Sequence, residues 1–220
     1  MFDFRNDGWD DVLAGGASLA PSAANVAPRR IRKRAFDWTA ALMLMVPLAL
    51  CAFGLLILNP FLNRGPLIFR QERMGMGCRP FTAYKFRSMS THVAKSRGAF
   101  DALETDRITK LGRWMRRFRI DELPQIINVL RGEMSMIGPR PDSYDHACVY
   151  VQEIPGYRDR HQVLPGITGL AQTQIGYVDG LEGIQRKVAA DAHYIRHASL
   201  AFDLWITWRT LGVILARRGS

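Results

Sequence analysis

"FDWTAALMLMVPLALCAFGLLILNPFL", residues 36 to 62, decides what kind of molecule this chain is. No charged side chain stands between Trp38 and Leu58. A helix needs about 20 apolar residues to reach through the hydrocarbon core of a bilayer, and this stretch has that length. It is too long for a cleavable signal peptide and carries no small-residue cleavage site. Pro47 lies inside it and Asn59-Pro60 closes it. Directly before it stands "RRIRKR", 29 to 34, with five basic residues in six. The segment from Arg64 to Arg79 is basic again. Lysine and arginine flanks favour one side of a membrane, so a straight span would break that preference at one end or the other. The expectation is therefore that 35 to 63 enters and leaves by the same face, broken at Pro47, where a helix hydrogen bond is missing. A single span with Pro47 as a tolerated kink is the alternative.

The chain has 220 residues, enough for one substantial core plus a membrane element. Its 30 basic against 20 acidic side chains leave a net charge of +10. Such a surplus calls for an anionic partner: nucleic acid, anionic lipid or a phosphorylated small molecule. Cys51, Cys78 and Cys148 are far apart and in no metal-ligand spacing, which excludes a disulfide scaffold and points to a reduced, cytosol-facing protein. Residues 1 to 28 are rich in Ala, Gly, Ser and Pro and read as a disordered tail. The division is a tail at 1–28, a basic flank with a re-entrant membrane helix at 29–63, and a domain at 64–220.

Within that domain, "PLIFRQERMG" and "RPFTAYKFRSM" read as two strands joined by a turn containing Gly75 and Gly77. Strand alternation places Lys85 and Arg87 on one face. "ITKLGRWMRRFR" reads as a helix with Ile108, Leu111, Met115 and Phe118 at helical spacing. A second helix is expected to start near Asp121, bury Leu123, Ile126, Ile127 and Leu130, and stop at Gly132. The apolar stretch 199 to 217 carries Asp203, Trp205, Trp208 and Arg209, a mixture suited to a helix lying on a membrane surface. The fold class is α/β: a broken N-terminal membrane helix, a small β-hairpin or sheet, and amphipathic interfacial helices.

Asp121 and Glu122 stand side by side after a run of arginines. They could be a helix cap and a first-turn acid, yet Pro124 removes one N–H a cap would use. Adjacent carboxylates repel unless cations or a metal lie close, which is how acidic pairs are used in catalysis. Lys85 with Arg87, and Arg113, Arg116 and Arg117, are either solvated faces or anion-binding groups. Prolines on both sides of Arg140 fix the backbone of "GPRP", so the loop is either only rigid or presents one guanidinium to a phosphate or base. His193 and His197 lie four apart on a helix without a third metal ligand and read as a wet face. P-loop, dinucleotide, nucleophile-elbow and zinc-ribbon patterns are absent.

Taken in order, "KRAFD", "GPLIFRQERMG", "FTAYKFRSM", "DRITKLG", "RIDELPQIINVLRGEMSMIGPRP", "YRDRHQVLPGITGLAQ" and "DAHYIRHASLAFDLWI" resemble the bacterial sugar transferase family, the monotopic phosphoglycosyl transferases in their minimal form. The likeness spans roughly 33 to 212, with Val46-Pro47 where the family often has Ser-Pro and Ser88 in place of a Thr. It implies transfer of a sugar-1-phosphate from a UDP-sugar to polyprenyl (undecaprenyl) phosphate, with UMP leaving. It implies Asp121 as nucleophile and Glu122 as the residue associated with an essential Mg²⁺. Lys85, Arg87, Arg116, Arg140, Pro141 and Arg160 are then the substrate-binding set. An already ionised carboxylate can attack phosphorus without a general base, provided cations neutralise the diphosphate. The implied setting is the inner membrane with the catalytic domain facing the cytoplasm, in contact with lipid and not with nucleic acid; a homo-oligomer is compatible. The rival reading is a membrane-tethered basic binding protein without catalysis, for which no stacking platform or DNA-binding motif is evident.

Overall fold

A computed structural model describes residues 26–90, 98–101, 105–175 and 180–215. The tail read at 1–28 lies outside the described residues as far as 25; its last three residues open the first helix. That helix, α1 (Val26–Leu62), runs unbroken with Pro47 and Pro60 inside it. The break expected at Pro47 is therefore not there. One missing bond bends a helix without ending it when the neighbouring backbone groups have no better partners. Among the described residues α1 is the one helix long and apolar enough to cross a membrane.

Only a narrow stripe of α1 is covered: Asp37, Ala41, Leu48 and Leu55 are buried at helical spacing. Leu42, Met43, Val46, Leu50, Phe53 and Phe61 face outward and are more than half exposed. An apolar face of this size is expected against lipid rather than water. Polar contacts hold both ends of α1 to one body. Near its start, Arg34 Nη2 donates to Val129 O at 2.8 Å, and Asp37 Oδ1 accepts from Ser135 Oγ and Met136 N at 2.9 Å each. At its end, Asn63 Nδ2 donates to Arg87 O at 2.7 Å and Arg87 Nη1 returns a bond to Asn63 Oδ1 at 3.1 Å.

Two antiparallel strands follow, β1 (Ile68–Met74) and β2 (Pro80–Phe86), joined by the turn read around Gly75 and Gly77. Gly77 and Cys78 turn the chain between them with φ of 67° and 59°. Helix α2 (Lys110–Arg117) is capped by Thr109, whose Oγ1 accepts from Gly112 N at 3.0 Å, and buries Leu111 and Met115. The helix expected from Asp121 is instead two pieces. Ile120–Gln125 is a 3-10 helix, and α3 (Ile126–Arg131) continues it to Gly132, where φ is 87°. Pro124 has no N–H for an α-helical ladder, so the tighter turn serves the first residues. Asn128 sews α3 to β2: its Oδ1 accepts from Tyr84 N at 3.2 Å and its Nδ2 donates to Thr82 O at 2.7 Å.

A parallel pair of short strands, β3 (Ser135–Ile137) and β4 (Gly166–Thr168), lies on either side of the loop that carries Arg140. Helices α4 (Tyr144–Glu153), α5 (Leu170–Gln174), α6 (Gly180–His197) and α7 (Leu200–Leu215) complete the body. On α7, read as a helix lying on a membrane surface, Asp203 is not part of a polar outer face. It is 2% exposed, accepts from Tyr194 OH at 2.8 Å and meets Lys33 Nζ at 3.0 Å. Leu204, Trp208, Leu211 and Leu215 form the exposed apolar stripe of that helix. Among the described residues the architecture is a mixed helix and sheet fold with two small sheets and one long apolar helix.

Candidate active site

Asp121 and Glu122 sit in the 3-10 segment and are each 6% exposed. Arg119, just before it, takes a left-handed turn with φ of 57°, so the chain enters the segment sharply. Burying two adjacent carboxylates requires cations, and they gather on Glu122. Arg140 grips it with both terminal nitrogens: Nη1 donates to Oε2 at 3.0 Å and Nη2 to Oε1. Lys85 Nζ reaches Oε1 and Arg119 Nη1 reaches Oε2, each at 3.5 Å. Burial alone would raise the Glu122 pKa; Arg140 and Lys85 outweigh it and hold the carboxyl well below its usual range. Asp121 is treated differently. Its Oδ1 is buried and has no hydrogen-bond partner. Burial first, and then the Glu122 charge, raise its pKa, with Lys85, Arg116 and Arg140 opposing. One acid is thus clamped as an anion, while the other keeps a desolvated oxygen.

The expected site residues separate into three groups. Lys85, Arg116 and Arg140 are brought to the acid pair; Arg116 Nε donates to Ser88 Oγ at 3.0 Å while its charge acts on Asp121. Arg87 is not brought there. Strand β2 ends at Phe86, so alternation stops short of it, and its guanidinium turns to the end of α1, donating to Pro66 O at 2.7 Å and Met89 O at 3.1 Å. Arg160 is not at the acid pair either: it is 3% exposed behind the loop, bonded to Asp191 Oδ2 at 2.9 Å and to Arg140 O at 2.6 Å. Pro141 offers its carbonyl to Arg73. Arg119, which the sequence reading did not single out, joins Glu122; its place three residues before an acid in the same turn was the available signal. Asn128 and Asp142 carried no local signal, because their partners are distant in sequence.

A family model described as bacterial sugar transferase matches residues 28–217. The chain belongs to the bacterial sugar transferase family. Among curated members, it is 41% identical over 192 residues to the UDP-N-acetylgalactosamine-undecaprenyl-phosphate N-acetylgalactosaminephosphotransferase of Aeromonas hydrophila, covering 86% of this chain and 44% of that protein. It is 42% identical over 187 residues to the UDP-glucose:undecaprenyl-phosphate glucose-1-phosphate transferase of Escherichia coli (strain K12), covering 83% of this chain and 40% of that one. The protein of the same description from Caulobacter vibrioides (strain ATCC 19089 / CIP 103742 / CB 15) is 40% identical over 191 residues, 84% of this chain and 70% of its own length. This sugar transferase family member therefore spans less than half the length of the first two relatives. The apolar helix and these relatives together suggest membrane association.

Magnesium is the ion that the family likeness implies for such a site. Among the described residues no cluster of three or more His, Cys, Asp or Glu side chains is placed to hold a metal by itself. Mg²⁺ does not ask for that: it usually takes one or two carboxylates, with phosphate and water oxygens completing the shell. Asp121 and Glu122 provide that donor set in this transferase family member, with Asp121 Oδ1 as the unpartnered oxygen. Both Glu122 oxygens are engaged by cations, so its share in a metal site requires Arg140 or Lys85 to turn toward phosphate.

Proposed function

We propose that this chain is a phosphoglycosyl transferase that moves a sugar-1-phosphate from a UDP-sugar to undecaprenyl phosphate and releases UMP. The observation that carries the reading is the buried Asp121 oxygen without a partner, beside a Glu122 clamped by three cations. A desolvated carboxylate is a better nucleophile than a solvated one, and it needs no base to activate it. Its oxygen attacks the phosphorus that bears the sugar, the bond to UMP breaks, and an aspartyl phospho-sugar remains. An oxygen of undecaprenyl phosphate then attacks the same phosphorus, and the Asp121 carboxylate is returned. Lys85, Arg116 and Arg140 hold and neutralise the phosphates through both displacements. Mg²⁺, held by Glu122 and Asp121, would supply further neutralisation of phosphate charge. Incubation with a UDP-sugar alone should leave a sugar-phosphate adduct on the peptide containing Asp121, with one equivalent of UMP released. Sequential kinetics with no adduct would remove the covalent route.

The pH dependence follows from Lys85. Burial, then the neighbouring Arg73 charge, lower its ammonium to about 7, with Glu122 and Asp121 pulling the other way. The cation is present below that value and lost above it. The free-enzyme parameter kcat/KM should therefore decline as pH rises through the neutral range. Lys85→Arg stays charged and should move the decline to higher pH. A wild-type profile flat from about pH 6 to 9 would take Lys85 out of the charge balance.

The same reading places α1 in the cytoplasmic leaflet of the inner membrane, entering and leaving on the side of the catalytic body. It is supported by the contacts at both ends of the helix. Asp37 and Asn63 are separated by roughly 40 Å of helix, more than the ~30 Å hydrocarbon core, yet one polar body holds both. A perpendicular span would draw that body through hydrocarbon, at large cost to its buried charges. Single cysteines at Ser22 and Ser96, with Cys51, Cys78 and Cys148 replaced, test this. Both should resist a membrane-impermeant thiol reagent in intact cells and react once the cells are opened. Labelling of Ser22→Cys alone in intact cells would establish a span.

A further inference from the structure

The guanidinium that grips Glu122 belongs to a residue with little backbone freedom. Pro139 and Pro141 fix the chain on either side of Arg140. Behind the loop lies a buried network unused by the chemistry above. Arg160 Nη2 donates to Arg140 O at 2.6 Å and meets Asp191 Oδ2 at 2.8 Å, and Arg160 Nη1 donates to Asp142 Oδ2. Tyr157 OH donates to Asp142 Oδ2 at 2.6 Å, and Lys187 Nζ to Asp142 Oδ1 at 2.6 Å. Arg160 and Asp191 are 3% and 1% exposed, and Tyr157 is fully buried. Two cations face two anions, so the charge is balanced, and the Asp142 backbone is tied as well, its carbonyl accepting from Met74 N at 3.2 Å.

A balanced, hydrogen-bonded cluster of this kind is worth little as net stability against apolar packing, but it specifies one arrangement sharply. Lys187 and Asp191 lie four residues apart on α6, one turn of the helix. We infer that Asp142, Tyr157, Lys187 and Asp191, acting through Arg160, are positioning residues that set where the Arg140 guanidinium meets Glu122. None of them touches the reacting atoms. Burial alone would raise Asp142, but Lys187 and Arg160 outweigh it and hold it well below the carboxylate range, so Asp142 itself stays an anion. The inference rests on the proposed transfer reaction for its kinetic readout, not for its structural one.

The test removes one charge of each sign, Asp142→Asn with Lys187→Met, leaving the Arg160–Asp191 pair intact. Hydrogen exchange of the peptide over 138–143 should become faster, while the β1–β2 hairpin exchanges as before. With UDP-sugar, kcat/KM should fall about tenfold in the otherwise wild-type chain and less than twofold when Arg140→Lys is already present. Equal fold losses in the two backgrounds, or unchanged exchange of the loop, overturn the inference. Should the double variant not fold, Tyr157→Phe removes only the hydroxyl and carries the same comparison with a smaller loss. Lys187→Arg, which keeps the cation, should restore most of the activity lost in Lys187→Met. A wild-type chain that releases no UMP refutes the transfer reaction, and the exchange measurement then decides the positioning role by itself.

Discussion

Asp121→Asn should abolish turnover while leaving the fold as stable as before or more so. The amide has the shape of the carboxylate without its charge, and it is a far poorer nucleophile toward phosphorus. Loss of the attacking group in a covalent mechanism costs on the order of four powers of ten or more in kcat. The stability side has the opposite sign. Burial and Glu122 raise the Asp121 pKa above its unfolded value, so the stability linked to this acid is present at low pH and lost as pH rises through the folded pKa. The ionised side chain is therefore a burden on the folded state. No hydrogen bond to its Oδ1 is lost on substitution. UMP release with undecaprenyl phosphate as acceptor, read beside a thermal melt, checks both halves. Residual turnover above a few hundredths of wild type would disqualify Asp121 as nucleophile. A large fall in melting temperature would show that its charge supports the fold instead of opposing it.

The second large effect is expected from a single methyl group at Gly166. A Cβ built there lies 2.2 Å from Gly138 N, 2.5 Å from Thr168 O and 2.6 Å from Gly138 O, all of them backbone atoms. No side chain can swing aside to make room. The two short strands β3 and β4 would have to part, and the bond from Gly166 N to Pro139 O, 2.9 Å, would go with them. That bond holds the residue next to Arg140, so the clamp on Glu122 is lost together with the sheet. Overpacking against fixed backbone costs about 3 kcal/mol or more, and for a chain of this size that lowers Tm by about 10 °C. Gly212→Ala is the matched control. It lies in α7 with nothing within 4 Å of the added atom, and should be neutral or slightly stabilising. A Gly166→Ala protein with wild-type Tm and UMP release would mean that the β3–β4 junction yields.

How far the chain could be read from its letters depended on how local each signal was. The hairpin was legible because two strand-like runs flank a short segment with Gly75 and Gly77, a local turn signal that brings Ile68–Met74 against Pro80–Phe86. The acid pair was legible because its two members are adjacent. Arg140 was recognisable as a fixed guanidinium, but nothing in "GPRP" says that Glu122, 18 positions earlier, is its partner. Arg87 was misplaced because strand alternation was carried one residue past the end of β2. The parallel pairing of Ser135 with Gly166 and Ile137 with Thr168 left no trace, since three residues are too few to show a period. Of the stripe expected for the helix from Asp121, Ile126 is buried while Leu123, Ile127 and Leu130 are only partly so and Val129 takes the core place, and the first turns wind differently because Pro124 decides them. Pro47 was misread the other way: a local breaker was expected to end the helix, and the helix runs through it with one bond missing.

The long apolar helix is more than a tether. Ala41, Leu48 and Leu55 pack in the same core as Phe86, Met115 and Ile126, so part of the interior of the catalytic body is made of its anchor. Its far end is locked through Asn63 to Arg87, two residues beyond the lysine that faces Glu122. An exchange of this helix for some other protein's membrane segment would therefore keep the address and lose the architecture. On the membrane placement proposed above, lipid would press on the outer face of a helix whose inner face is part of the core, and would then belong among the components that set its shape.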